Sequence, residues 1–90
     1  MFKNLEQLVK TIRERKNSSP SKSYTHKLLT DKNLSVSKVK EEIRELIESV
    51  DKNSNKIHEA ADVLYHLMVF LEGNGIKIED VMDELKKRQK

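Results

Sequence analysis

Apolar residues recur along this chain at spacings of three and four, and no stretch alternates apolar with polar residues as a half-buried strand would. Phe2, Leu5, Leu8, Val9 and Ile12 predict a first helix from about residue 2 to 15. The stretch Asn17 to Lys22 carries Ser18, Ser19, Pro20 and Ser21 and reads as a loop, since proline bars a helix from continuing through it. Ser23 is placed to cap a short helix from Tyr24 to about Thr30 that turns Leu28 and Leu29 inward. Ser35 or Ser37 is expected to cap a third helix, with Val36, Val39, Ile43, Leu46, Ile47 and Val50 as its core-facing stripe.

A polar break from Asp51 to Asn55 precedes a fourth helix, whose Ile57, Ala60, Ala61, Leu64, Met68 and Leu71 share one face. Val63, Val69 and Phe70 make its later turns apolar nearly all round, so burial on more than one side is expected there. Gly73-Asn74-Gly75 stops it, because glycine and asparagine accept the left-handed backbone that ends helices. A last helix from about Ile78 to Arg88 should turn Val81, Met82 and Leu85 inward. The fold class is therefore all-α: a helical bundle built around the antiparallel pair on either side of the break, in one domain spanning residues 1–90.

The central pair also carries chemistry. Glu42 and Glu45 lie three apart on the third helix, and Glu59 and Asp62 three apart on the fourth, so each pair can aim two carboxylates at one point. If the hairpin is symmetric about its break, Glu42 is level with Asp62 and Glu45 with Glu59. Four carboxylates at one level repel one another unless a cation sits among them, and an all-oxygen set suits a hard divalent ion such as Mg²⁺. The plainer reading of Glu41, Glu42, Glu45 and Glu48 is a solvated acidic helix face. Glu59 and Asp62 weigh against it, because their helix is too apolar to leave acids unpaired.

EExxE at Glu41 to Glu45 followed by ExxD at Glu59 to Asp62 resembles the signature of the MazG-like all-α nucleoside triphosphate pyrophosphohydrolases. SYTHKLL at Ser23 to Leu29, KVKEEIRE at Lys38 to Glu45, EAADVLYHLMVFLEGNGI at Glu59 to Ile76 and EDVMDELKKR at Glu79 to Arg88 narrow the resemblance to the phosphoribosyl-ATP pyrophosphohydrolase family, over nearly the whole chain. Two positions depart from that family's pattern: Lys40 replaces a small residue, and Thr30-Asp31-Lys32-Asn33 replaces a glycine after the leucine pair.

The resemblance implies Mg²⁺-dependent hydrolysis of phosphoribosyl-ATP to phosphoribosyl-AMP and pyrophosphate, the second step of histidine biosynthesis. It makes Glu42, Glu45, Glu59 and Asp62 the metal ligands, while the more outward position of Glu41 on its helix leaves that residue to support a ligand or orient water. Ser23, Tyr24, Thr25 and Lys27 become candidates for substrate contact, as do Arg13, Arg15 and Lys16. Each of these also has a structural explanation: Ser23 as a helix cap, and the three cations as partners of a helix C-terminus. His66, one turn beyond Asp62, is either a satisfied core histidine or a group that supports a ligand or a phosphate. Other nucleoside triphosphates are the alternative substrates, and a non-enzymatic helical interaction module is the alternative of another class.

Composition changes the picture in three ways. Ninety residues with 37% charged and 36% hydrophobic positions make a thin core, so a homodimer or higher homo-oligomer is expected, with Val69 and Phe70 at or near the subunit contact. The absence of cysteine removes disulfides and thiolate metal sites, and without a membrane-length apolar run or a signal-peptide block the expectation is a cytoplasmic protein with no membrane partner. A net charge of +3 spread along the chain with 4% aromatics gives no nucleic-acid motif, and scattered cations suit a polyphosphate substrate better.

Overall fold

In the computed structural model, residues 2–17 and 23–89 are described. They form five helices: α1 (Lys3–Arg15), α2 (Tyr24–Thr30), α3 (Lys32–Lys52), α4 (Lys56–Gly73) and α5 (Ile78–Arg88). Most of the loop expected over residues 17–22 lies outside the described residues.

Local chemistry sets the boundaries. The Ser23 hydroxyl accepts from the His26 N–H at 3.1 Å and starts α2 where the sequence placed it. The cap of α3 is Asp31, whose Oδ1 accepts from the Leu34 N–H at 3.1 Å, rather than Ser35 or Ser37. Ser35 lies inside α3 and is buried. The Asp31-Lys32-Asn33 stretch looks like a loop by composition, yet an aspartate just ahead of a helix is as good a cap as serine.

The break between α3 and α4 is also tighter than Asp51 to Asn55, since Asp51 is still helical. Asn53 and Asn55 take left-handed backbone at φ 54° and 57°, conformations that asparagine tolerates better than most residues. The reversal lays α3 against α4 as the most extensive helix pair in the molecule. At the far end of α4 the left-handed residue is Gly75, at φ 72°.

The core is small. Val9, Ile12, Leu28, Met68 and Val69 are buried, with Leu5, Leu8, Leu29, Leu34, Tyr65, Leu67, Leu71 and Ile78 packed around them. It gathers α1, α2 and the second half of α4. Val69 has no exposed surface, so it belongs to this core and is not available to a subunit contact.

The expected stripe of α3 is not part of that core: Ile43, Ile47 and Val50 are exposed, as are Ile57 and Leu64 on α4. The side of α3 turned to α4 carries the buried Ser35, Glu42 and Ser49 instead, spaced seven apart and hence along one line. Helix α5 buries none of its residues, and Met82 and Leu85 face solvent where inward packing was expected. Among the described residues no second layer lies over them.

Ion pairs tie α1 to α4 and α5. The Arg13 guanidinium donates through Nε to Glu72 Oε1 at 2.8 Å and takes Glu79 in a two-pronged grip at 2.8 and 2.6 Å. Lys16 reaches the other oxygen of Glu72 at 3.2 Å. The hydrogen bonds from Arg13 hold the Glu79 carboxyl down at about 2. Burial pushes Glu72 up, but hydrogen bonds from Arg13 and Lys16 outweigh it and leave that carboxyl below its usual range.

Carboxyls acidified on folding stabilise the fold fully above the ordinary carboxylate range, and that contribution is lost as pH falls through their folded values. The thermal midpoint should therefore drop between about pH 5 and pH 2. Glu79→Gln should flatten part of that acid limb in a melting series, and an unchanged limb would deny the pair any role in it.

Candidate active site

The hairpin brings the paired acids together. Glu42, Glu45 and Glu59 each offer a carboxylate oxygen within 4.8 Å of the others, and Asp62 forms a second such group with Glu59 and His58. Buried Ser35 and Ser49, two turns either side of Glu42, keep this face of α3 small enough for α4 to approach. Ser49 satisfies its hydroxyl by donating to the Leu46 carbonyl at 2.7 Å, leaving the carboxylates to themselves.

These acids are under electrostatic strain. Among the described residues, the buried side-chain oxygens without a hydrogen-bond partner are Glu42 Oε2 and Glu59 Oε2. Burial pushes the Glu42 carboxyl up, Glu45 and Asp62 push it further, and His66 pulls it back. Glu59 is raised by burial and then by Glu45, with His58 opposing. Ionised carboxylates this close repel one another, and more strongly where they are shielded from water.

A divalent cation fits this set: it would satisfy both orphaned oxygens and replace mutual repulsion by attraction. The donors of the Glu42, Glu45 and Glu59 group are all hard oxygens, the kind Mg²⁺ takes.

One wall of the site comes from α2 and the later part of α4. The His66 Nδ1–H donates to the Asp62 carbonyl at 2.8 Å, which in the neutral ring leaves Nε2 to accept from the Tyr24 hydroxyl at 3.2 Å. Next to this bond, Thr25 Oγ1 meets the Tyr65 hydroxyl. The Tyr65 ring stands edge-on to His66 with centroids 4.9 Å apart. Burial pushes the Tyr24 phenol up and the Lys38 ammonium pulls it back, with Tyr65, Glu42 and Glu41 adding to the rise. Lys38 in turn holds Glu41 at 3.1 Å.

Of the residues singled out in sequence, Glu41, Glu42, Glu45, Glu59, Asp62, Tyr24, Thr25 and His66 gather here. The others lie elsewhere. Arg13 and Lys16 are paired with Glu72, thirteen residues and about 20 Å along α4 from Glu59. The Arg15 carbonyl accepts from His26 Nδ1 at 2.9 Å, Ser23 caps α2, and Lys27 is exposed.

Sequence reasoning passed over three neighbours of the site. His58 pairs with Asp62 at 3.3 Å across one helical turn, a spacing visible in the sequence. Lys38 stands one turn before Glu41 and Glu42, which was equally visible. Tyr65 is found only through its contacts with α2.

Residues 5–89 match the family model described as phosphoribosyl-ATP pyrophosphohydrolase. The chain is 44% identical over 90 residues to the phosphoribosyl-ATP pyrophosphatase of Neisseria meningitidis serogroup C, covering 94% of this chain and 82% of that protein. It is 39% identical over 88 residues to the phosphoribosyl-ATP pyrophosphatase of Dechloromonas aromatica, with the same coverage of 94% and 82%. A third relative is the chloroplastic histidine biosynthesis bifunctional protein of Arabidopsis thaliana, 48% identical over 69 residues. That match takes 73% of this chain but spans only 25% of the larger protein. No solved structure matches.

Proposed function

The chain belongs to the phosphoribosyl-ATP pyrophosphohydrolase family and is a hydrolase of histidine biosynthesis, and we propose that its reaction is carried by the α3–α4 carboxylates with Mg²⁺ held among them. The substrate, phosphoribosyl-ATP, is cleaved between the α and β phosphates to phosphoribosyl-AMP and pyrophosphate. The observation behind this reading is the pair of buried, partnerless oxygens on Glu42 and Glu59. Groups so costly to leave unmatched are kept where a ligand completes them.

Glu42, Glu45, Glu59 and Asp62 would hold the cation, which supplies charge neutralisation for the triphosphate and polarisation of its phosphoryl oxygens. His58 fixes one oxygen of Asp62 and so limits how that side chain can turn. Glu41, held by Lys38, accepts a hydrogen bond from the attacking water, and Lys38 offsets charge on the bound phosphates.

Pyrophosphate release from phosphoribosyl-ATP tests this. It should require Mg²⁺, stop with EDTA, and proceed with a kcat/KM about a hundredfold or more above that for ATP. Two charge-assisted hydrogen bonds to the second phosphoribosyl group, at about 1.5 to 3 kcal/mol each, account for that ratio. Equal rates on both substrates would assign the chain to general nucleotide hydrolysis, and no release from either would remove the enzyme reading.

The same reading gives the enzyme a second copy of itself. Ile57 is 88% exposed, Ile47 59%, Val50 57%, Leu64 47% and Ile43 43%, all on the central hairpin. An apolar stripe of that kind on a chain of 90 residues marks an association surface. A dimer is expected by light scattering at micromolar concentration, and the double change Ile43→Glu with Ile47→Glu should yield monomers. A wild-type monomer would refute the assignment. Among the described residues no helix is long and apolar enough to cross a membrane, and the proposed setting is the cytoplasm.

A further inference from the structure

Tyr24 is 48% exposed, although its hydroxyl is anchored to His66 Nε2 at 3.2 Å. A surface tyrosine ordinarily samples several rotamers, whereas a ring tethered at its tip has lost that freedom before any ligand arrives. Its neighbours restrict it further. The Tyr65 ring lies nearly parallel to it, with an interplanar angle of 19° and centroids 6.5 Å apart, and His66 meets it edge-on at 6.0 Å. The result is a fixed, half-exposed aromatic surface that shares a wall with Glu42. Nothing in the phosphate chemistry uses it.

From this placement we infer that the Tyr24 ring is the platform on which the purine base of the nucleotide stacks, and that His66 is a positioning residue that holds the ring in place through its hydroxyl. The inference rests on the proposed reading in that the carboxylates set where the phosphates lie; the base must then leave the phosphate site along one of its walls. Every base has a π-face, and truncating an aromatic ring on which a base stacks weakens binding by roughly five- to a hundredfold. His66 takes its orientation from the Asp62 carbonyl, so the platform is referenced to the same turn of α4 that carries a metal ligand.

Kinetics on phosphoribosyl-ATP separate ring, tether and anchor. Tyr24→Leu should raise KM about tenfold or more and leave kcat within roughly a factor of two, the mark of lost binding common to ground and transition states. Tyr24→Phe, which keeps the ring but loses the tether, should raise KM less. His66→Leu should match Tyr24→Phe and add nothing in its background, while His66→Gln, with a carboxamide able to accept from the phenol, should recover most of the loss. An unchanged KM in Tyr24→Leu overturns the platform, and a His66→Leu effect that persists undiminished in Tyr24→Phe overturns the positioning role.

A readout free of turnover distinguishes this failure from failure of the hydrolase reading. The chain has two tyrosines, so titrating AMP while following their ring protons by NMR should shift Tyr24 upfield and Tyr65 much less. A Tyr24 shift in a protein that releases no pyrophosphate would leave the platform standing without the hydrolase. Pyrophosphate release with no Tyr24 shift would do the reverse.

Discussion

Glu42→Gln is expected to reduce pyrophosphate release at least about a thousandfold and, in metal-free buffer, to make the protein more stable than wild type. The loss of turnover follows from removing one anionic ligand of an ion that contributes several kcal/mol to the reaction. The gain in stability follows from the geometry. Glu42 is 7% exposed, has an unpartnered oxygen, and faces Glu45 and Glu59 at under 4.8 Å. Burial and like charge raise its carboxyl. Its ionised form therefore opposes folding increasingly as pH rises through the carboxylate range, and a neutral amide removes that opposition.

Relief of about 1 kcal/mol would raise the thermal midpoint by roughly 4–8 °C for a domain of this size. Adding Mg²⁺ should raise the wild-type midpoint and close the gap, because a ligand that binds only the folded state stabilises it. Asp62→Asn should lose activity to a similar degree but gain little stability, since Asp62 is less buried and already paired with His58. A Glu42→Gln protein that turns over normally would end the ligand assignment. One that melts lower without metal would show that the cluster is not strained.

How far the sequence carried this site depended on whether an interaction ran between neighbours in sequence or between elements far apart along the chain. The carboxylate pairs were legible because three-residue spacing on two helices around a short break fixes both face and height, and Glu42, Glu45 and Glu59 do converge. The start of α2 was legible because Ser23 is a strong local cap. The inward side of α3 was not. Ile43, Ile47 and Val50 form the better apolar stripe, yet the side facing α4 is Ser35, Glu42 and Ser49. Periodicity identifies a stripe that wants covering but carries no information on whether the cover belongs to the same chain. The same gap set Val69, which this chain buries completely, with Phe70 at or near a subunit contact, and turned Met82 and Leu85 inward. Long-range pairing was equally invisible: nothing local to Arg13 announces Glu72 and Glu79, fifty-nine and sixty-six positions away.

That last pairing gives the second large effect. Arg13→Ala should destabilise the fold by about 2 kcal/mol or more, a fall of roughly 8–16 °C in the thermal midpoint, while leaving KM and kcat of the folded protein close to wild type. Glu72 is 8% exposed, and removing Arg13 leaves it with Lys16 alone, so most of the cost is that of a buried carboxylate short of partners. Because the Arg13 side chain is 36% exposed, water can replace part of what is lost, which keeps the expected figure at the low end for buried pairs. Glu72→Gln should lose less than Arg13→Ala, and the double variant should lose less than the sum, because once the carboxylate is neutral its missing partner no longer matters. A phosphate contact would behave otherwise: Arg13→Ala would then raise KM with little change in melting, and Glu72→Gln would not compensate. Measured melting and kinetics on these three variants decide whether Arg13 serves the fold or the substrate, and the ion pairs at 2.8 and 2.6 Å favour the fold.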